Sequence, residues 1–304
     1  MQIPRIDAPS RDEFSRQYLL PGRPVVMTGL VQQWPSWGEW NLDWFESRYG
    51  HLALSGNNSL QGTRSVQVGQ YLQSLRERSG DGLYLDAMPL AWLPGMRESM
   101  VLPPYMPTDR KTEVLVWVGP EGTCLNFHKD NHSPLDGNQN LLCQLLGRKR
   151  VVLVGPEHDE KMYPEAQLPN DYLRSRVRLD QPDPDAFPLF EQVQLWETEV
   201  GPGDTLFIPA HWWHYVRSLE ISMTVTFWWR SSLLIELLGQ FREAARDGSL
   251  EAFLNQHQGS VGLAEVREVG GPGGLDQLWQ PMSARVRQLC GRLLSPEVRA
   301  LVSA

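Results

Sequence analysis

From Glu113 onward the chain breaks into eight short apolar runs, and this pattern constrains the fold more than any other feature. The runs are Val114–Val118, Thr123–Asp130, Asn140–Leu146, Arg150–Val154, Gln192–Thr198, Thr205–Ile208, Trp213–Val216 and Ile221–Trp228. Turns at Gly119-Pro120, Gly147-Arg148, Gly155-Pro156 and Gly201-Pro-Gly-Asp204 separate them. Short strands with regular Gly/Pro turns indicate a β-sandwich or barrel. The flanks read differently. Ser10-Arg-Asp-Glu13 fits a capping box opening a helix that ends near Leu20, Pro24–Gly29 reads as a buried strand, and Trp40–Tyr49 and Val66–Arg78 read as amphipathic helices. Leu83–Leu85 reads as a short strand, and residues 88–110 as an irregular connection. After Trp229, Leu233, Leu234, Leu237, Leu238 and Phe241 recur at helical spacing, a Gly270–Gly274 hinge follows, and a second stripe runs through Leu278, Met282, Val286, Leu289, Leu293 and Leu294. Three regions result: supporting N-terminal helices and strands over 1–112, a β core over 113–231, and a helical region over 232–304.

Within the β core sits a split triad, His128-Lys129-Asp130 and, some 80 residues later, His214. In a strand, residues i and i+2 share a face, so His128 and Asp130 can grip one ion while Lys129 faces away. Two histidines and one carboxylate occupy one face of a mononuclear iron(II) and leave the opposite face open. An H-x-D pair alone is a weak signal. Joined to Gly201-Pro-Gly-Asp-Thr-Leu-Phe-Ile-Pro209 and Trp212-Trp213-His214, it becomes a specific one.

A chain of 304 residues can bury a full core, and its net charge of −8 disfavours a protein held on nucleic acid mainly by phosphate contacts. Three widely spaced cysteines, of which Cys124 and Cys143 read as buried free thiols, point to a reducing compartment. The first ten residues show no apolar signal-like region and no apolar stretch approaches a membrane span, so the expectation is a soluble, cytoplasmic protein without a membrane partner.

Several segments together carry a family resemblance: Asn140–Val154, with its Gly-Arg-Lys-Arg turn; Asp183-Pro-Asp-Ala-Phe-Pro-Leu-Phe190; Glu197–Pro209; and Trp212-Trp213-His214. Across about residues 3–230 the chain resembles the JmjC, or cupin-like, iron(II)- and 2-oxoglutarate-dependent oxygenases. Within them it is most similar to the small-hydroxylase subgroup that includes the asparaginyl hydroxylase of hypoxia-inducible factor and the tRNA wybutosine hydroxylase. The resemblance implies a mainly β fold with flanking helices, a double-stranded β-helix (cupin, or jelly-roll) at its core. It implies iron ligation by His128, Asp130 and His214, with His211 not a ligand. It implies a basic anchor for the far carboxylate of 2-oxoglutarate at Lys149, a tyrosine beside it at Tyr84, and polar residues near the cosubstrate at Asn140 and Thr226. A Lys in an otherwise apolar strand, with a hydroxyl beside it, suits that carboxylate on chemical grounds too.

The resemblance further implies a dioxygenase that hydroxylates a C–H bond of a protein or peptide side chain, using dioxygen and converting 2-oxoglutarate to succinate and carbon dioxide. A tRNA base, a small natural-product intermediate and N-methyl demethylation are the alternatives, and a cupin-fold binding or scaffold protein is the non-enzymatic one. Similar enzymes dimerise through C-terminal helices, and the stripe from Leu275 to Leu294 fits a homodimer. Three departures stand out. An insert around Ser133–Asn138 lengthens the loop after the metal motif and brings His132 as a candidate substrate contact. Leu125 replaces a threonine that commonly touches the cosubstrate. Arg174 replaces the glutamine that holds the asparagine amide, and could meet an acidic group on the substrate or lie in an exposed basic stretch.

Overall fold

The computed structural model describes residues 1–19, 21–58, 62–106, 112–130, 138–165, 173–230, 233–268, 275–276, 279–280 and 282–302. His132, the insert from Ser133 to Gly137, the Gly270–Gly274 hinge and Leu278 lie outside them. The N-terminal region supplies β1 (Arg5–Asp7), β2 (Val25–Thr28), β3 (Ala53–Asn58), β4 (Gly62–Gln67) and β5 (Leu85–Pro89). The core follows as β6 (Thr112–Gly119), β7 (Cys124–Lys129), β8 (Asn138–Leu146), β9 (Lys149–Val154), β10 (Leu173–Arg174), β11 (Leu195–Val200), β12 (Thr205–Ile208), β13 (Trp213–Ser218) and β14 (Ser222–Arg230).

A seven-stranded sheet has the order β1-β2-β12-β8-β14-β6-β5, and a five-stranded sheet the order β10-β7-β13-β9-β11. The chain passes back and forth between the two sheets along β6 to β9 and again along β11 to β14. Every pairing within that run is antiparallel. This is the double-stranded β-helix, and each of the eight expected strands is present. The expected strand starting at Gln192 begins instead at Leu195, because a 3-10 turn over Pro188–Gln192 occupies the preceding residues.

Strand parity divides the two faces of each sheet. On β14, Met223, Val225, Phe227 and Trp229 join Phe14, Phe45 and Leu72 in the core beneath the N-terminal helices, while Thr224, Thr226 and Trp228 turn into the barrel. On β8, Leu141, Cys143 and Leu145 enter that same core while Asn140 and Leu142 turn inward. In the five-stranded sheet, Phe127, Val152, Val154, Trp213 and Tyr215 pack on the outer face, whereas Val151, Leu153 and Val216 face inward. Both faces of the larger sheet are thereby buried, and the polar residues of its inner face are enclosed between the sheets.

The helices α1 (Arg11–Phe14), α2 (Leu42–Tyr49) and α3 (Val68–Glu77) close the outer face of the larger sheet. The Ser10 capping box is present, with Ser10 Oγ accepting from Glu13 N–H and Glu13 accepting from Ser10 N–H. Past Phe14 the helix widens into a π-turn over Ser15–Leu19. Asn41 caps α2, which therefore starts at Leu42 rather than Trp40. The expected start of α3 at Val66 is taken instead by the hairpin β3–β4, whose second strand is exposed almost throughout and shows no alternating apolar signal.

The C-terminal region folds as α4 (Leu233–Asp247), α5 (Leu250–Gln256), α6 (Leu263–Glu268), α7 (Ala284–Cys290) and α8 (Pro296–Val302). Leu234, Leu237, Phe241, Leu275, Leu293 and Leu294 are buried in one separate core, with Met282, Val286 and Leu289 packed against it. The stripe read as a dimerisation face is thus largely covered by the chain's own helices. Cys143 is a buried free thiol and Cys290 is buried, but Cys124, expected to be buried, is exposed at the start of β7 beside Asp180. Among the described residues no helix is long and apolar enough to cross a membrane.

Candidate metal centre and cosubstrate pocket

His128 points into the barrel from β7. Asp130, one residue past the strand end, keeps the two-residue alternation. Lys129 between them turns to the outer face, where it is buried against Asp159. His214 stands directly opposite His128 on the adjoining strand β13. The ladder slips at this point: the step from 214 to 216 on β13 matches the step from 128 to 125 on β7, a one-residue bulge beside the ligands.

Nε2 of His214 lies 3.2 Å from Asp130 Oδ1, and Nε2 of His128 lies 3.8 Å from the same oxygen. The two imidazole centroids are 4.1 Å apart, and the three candidate ligand atoms all fall within 4.8 Å of one another. Each ring is oriented through its other nitrogen. Nδ1 of His128 is 2.7 Å from the Asn126 carbonyl, and Nδ1 of His214 is 3.2 Å from the Trp212 carbonyl. A carbonyl can only accept, so Nδ1 of each ring carries a proton and Nε2 is the atom turned to the shared point, the arrangement in which Nε2 can serve as a metal ligand.

Burial and the neighbouring His214 bring His128 down to about 4, so it is neutral at physiological pH. For Asp130, burial favours protonation. The adjacent His214 and His128 and hydrogen bonds from His214 and Asn140 outweigh it, and its carboxyl titrates below the ordinary value. Burial likewise opposes charge on His214, but the Asp130 carboxylate overrides it and raises that imidazole. A neutral imidazole, a carboxylate and a second imidazole meeting at one point form the donor set that suits a mononuclear iron(II).

The other end of the same cavity is cationic. Lys149, the first residue of β9, is 3% exposed and its Nζ donates to Tyr84 Oη at 3.2 Å. Burial alone brings its amine down to about 7, and burial, with the nearby Asp86 and Tyr71, pushes the Tyr84 phenol well up. Between the two ends, Asn140 Nδ2 donates to Asp130 Oδ2 at 3.1 Å, and Trp117 Nε1 donates to Thr226 Oγ1 at 2.9 Å. Among the described residues Asn140 Oδ1 and Trp228 Nε1 are buried with no hydrogen-bond partner, and both residues line the cavity. Orphaned buried polar atoms are rare and costly, so these two mark where a polar ligand belongs. The cavity thus joins a chelating end to a buried amine and a phenol, with Leu125, Ile208 and Val216 as apolar walls. Those residues fit 2-oxoglutarate, a short dianion with a chelating keto-acid end.

All of Tyr84, His128, Asp130, Asn140, Lys149, His214 and Thr226 therefore share one cavity. His211 takes no part in the ligand group and occupies a left-handed backbone position with φ 64°. Arg174 stands on the edge strand β10 directly opposite His128 in the ladder, and is exposed. Two lining tryptophans went unassigned on sequence. Trp228 lies two residues from Thr226 and so on its face of β14. Trp117 turns inward because it pairs with Thr224.

A barrel of this topology, with two histidines and a carboxylate facing a buried lysine, is a cupin fold carrying a candidate mononuclear metal centre. Residues 10–234 match the cupin-like domain family, and the chain belongs to it. It is 30% identical over 241 residues to lysine-specific demethylase 8 of Xenopus tropicalis, covering 75% of this chain and 52% of that protein. It is 30% identical over 253 residues to Jumonji C domain-containing protein 5 of Drosophila melanogaster, covering 75% and 59%. It is 32% identical over 235 residues to lysine-specific demethylase JMJ30 of Arabidopsis thaliana, covering 72% and 53%. The chain spans between half and three fifths of the length of these relatives. Its family is that of the JmjC oxygenases, which use iron(II), 2-oxoglutarate and dioxygen.

Proposed function

We propose that this chain is an iron(II)- and 2-oxoglutarate-dependent dioxygenase that hydroxylates a C–H bond on a protein or peptide side chain. The carrying observation is the convergence of two Nε2 atoms and one carboxylate oxygen in the cavity that also holds a buried lysine with no carboxylate partner among the described residues. His128, Asp130 and His214 would hold the iron. Lys149 and Tyr84 would hold the far carboxylate of 2-oxoglutarate, with Asn140 and Thr226 along its length. When bound, iron with 2-oxoglutarate and dioxygen supplies the oxidising equivalent that inserts one oxygen into a C–H bond, leaving succinate and carbon dioxide. The protein's part is to orient the ligands through the Asn126 and Trp212 carbonyls, keep Asp130 ionised, and line the cavity with apolar walls that exclude water.

A second reading, removal of N-methyl groups from lysine, has its support in the names of the relatives. It rests on the same C–H hydroxylation, performed at a methyl group. Arg174 favours the first reading. Directly opposite residues of an antiparallel pair share a face, so Arg174 lies on the face of His128 at the open edge of the sheet, and its charge acts on His128. A methylated ammonium entering beside it meets a like charge, on the order of 1 kcal/mol for a solvent-side pair. A neutral or acidic side chain does not.

The test is incubation of the iron-loaded protein and 2-oxoglutarate with peptide libraries, methyl-lysine peptides, tRNA and small-molecule extracts. Expected are succinate formation and a stable gain of one oxygen on a peptide. Methyl loss with formaldehyde release, without stable oxygen gain, would replace hydroxylation by demethylation. Oxygen gain on tRNA or a metabolite alone would move the substrate class.

A further inference from the structure

The outer face of the five-stranded sheet carries a polar cluster that sequence motifs did not single out. Lys129 sits between the two ligands of β7, and Trp213 immediately precedes the ligand of β13. Both turn away from the barrel, and both meet one carboxylate. Lys129 Nζ donates to Asp159 Oδ1 and Oδ2 at 2.6 and 2.7 Å, and Trp213 Nε1 donates to Asp159 Oδ1 at 2.8 Å. The Lys129 ammonium also lies 5.0 Å from the centre of the Trp213 ring. Lys129 is 3% exposed and Trp213 fully buried, while Asp159 reaches over them from the 3-10 turn Pro156–Met162.

The place of this cluster gives it a purpose. The β7–β13 ladder slips between His214 and Val216, immediately beside the metal ligands. Across a bulge the backbone bonds are locally interrupted, and they fix the relative placement of flanking side chains less firmly than a regular ladder does. Asp159 spans the two strands from behind on the other side of the His128–His214 pair from the slip, tied to the residue between His128 and Asp130 on one strand and to the residue before His214 on the other. We infer that Asp159 is a positioning residue for the metal centre, setting the separation of the β7 and β13 ligands through Lys129 and Trp213. The inference rests on the metal-centre reading above. Support of ligands from behind typically matters by about 10–100-fold in metal affinity.

The experiment measures Mn(II) affinity by titration calorimetry, and the melting temperature of the metal-free protein, for the wild type, Asp159→Asn and the double variant Lys129→Met/Asp159→Asn. Asp159→Asn leaves a buried ammonium without its carboxylate and will melt earlier, so this variant alone does not separate stability from positioning. The double variant removes the buried charge, and Asn can still accept from Trp213, but the two strands are no longer joined. The expected result is a double variant that regains most of the lost melting temperature yet binds Mn(II) roughly 10–100-fold more weakly than wild type. Affinity that recovers together with melting temperature would overturn the inference and leave Asp159 a purely structural partner of Lys129. Wild-type protein that takes up no Mn(II) would overturn the metal-centre reading itself, and this inference with it.

Discussion

On the proposed reading, Lys149 should link cosubstrate affinity to pH. Its amine is enclosed at 3% exposure, and burial alone brings it to about 7 from an ordinary 10.5. In the ligand-free protein half of these amines are neutral at pH 7 and nearly all at pH 8.5. A carboxylate of 2-oxoglutarate docked on Nζ restores the charged form, because an adjacent opposite charge offsets desolvation. The complex then holds more protons than the free protein above about pH 7. Affinity is therefore full below that value and falls as pH rises, by roughly fifteenfold between pH 7 and 8.5. If docking restored the ordinary value, the whole linkage would amount to about 5 kcal/mol. Calorimetric titration of 2-oxoglutarate into the Mn(II)-loaded protein, in two buffers of different ionisation heat, reads this directly. Close to one proton should be taken up per ligand at pH 8.5. Lys149→Met should abolish the uptake and weaken binding by roughly 100-fold or more, as expected for loss of a buried charge-assisted contact. Stability moves in the opposite direction. The unfolded chain binds more protons than the folded one between about pH 7 and 10.5, so the metal-free wild type gains stability as pH rises through that window, and the Met variant lacks this gain. An affinity constant from pH 7 to 8.5, with no proton uptake, would refute the assignment of Lys149 as the anchor.

Other expectations follow from neighbouring contacts. A methyl group on Gly119 would stand 2.2 Å from Tyr84 Cδ2 and 2.7 Å from Cε2. Gly119→Ala should therefore drive the ring off Lys149 and raise the 2-oxoglutarate KM roughly three- to tenfold, the worth of one hydrogen bond, with Mn(II) affinity unchanged by calorimetry. Asn140→Ala frees Asp130 Oδ2 and should weaken Mn(II) binding by about 10–100-fold, followed by electron paramagnetic resonance. Asp130→Ala removes the anionic ligand and should abolish both Mn(II) uptake and succinate formation; retained turnover would refute the ligand set. Arg174→Glu should improve turnover of methyl-lysine peptides relative to acidic ones, seen in competition by mass spectrometry, and an unchanged ratio would remove Arg174 from substrate selection.

Local rules made the metal site legible and long-range packing hid the rest. Strand alternation alone places His128 and Asp130 on one face and Lys129 on the other, and the eight strands are bounded by Gly and Pro turns that act locally. Lys149, Tyr84 and Asn140 came from family resemblance, since nothing in the periodicity says that residue 84 lies against residue 149. The hairpin β3–β4 escaped because a strand exposed on both faces has no apolar alternation. Asp159 escaped because it acts from a 3-10 turn whose neighbours in space are far away in sequence. Arg174 belongs to a strand of two residues, too short for any period, and only its pairing with β7 puts it beside His128.

The two buried lysines of the five-stranded sheet show how that packing divides structural from functional charge. Lys129 and Lys149 are each 3% exposed, one on the outer face and one on the inner. A buried ammonium without a counter-charge is unstable enough to lose its proton. The outer one meets a carboxylate of its own chain, Asp159, and can remain charged as part of the scaffold. The inner one meets a phenol, and no carboxylate pairs with it among the described residues. A phenol can accept a hydrogen bond but does not neutralise an ammonium, so the fold leaves the inner amine in deficit of one negative charge. That deficit lies in the same cavity as three candidate metal-ligand atoms and two orphaned polar groups, and a ligand carboxylate would remove it. Installing a carboxylate in the chain itself, by Thr226→Asp on the facing inner side of the seven-stranded sheet, would place a counter-charge in the Lys149 cavity and should abolish 2-oxoglutarate binding while raising the melting temperature of the metal-free protein.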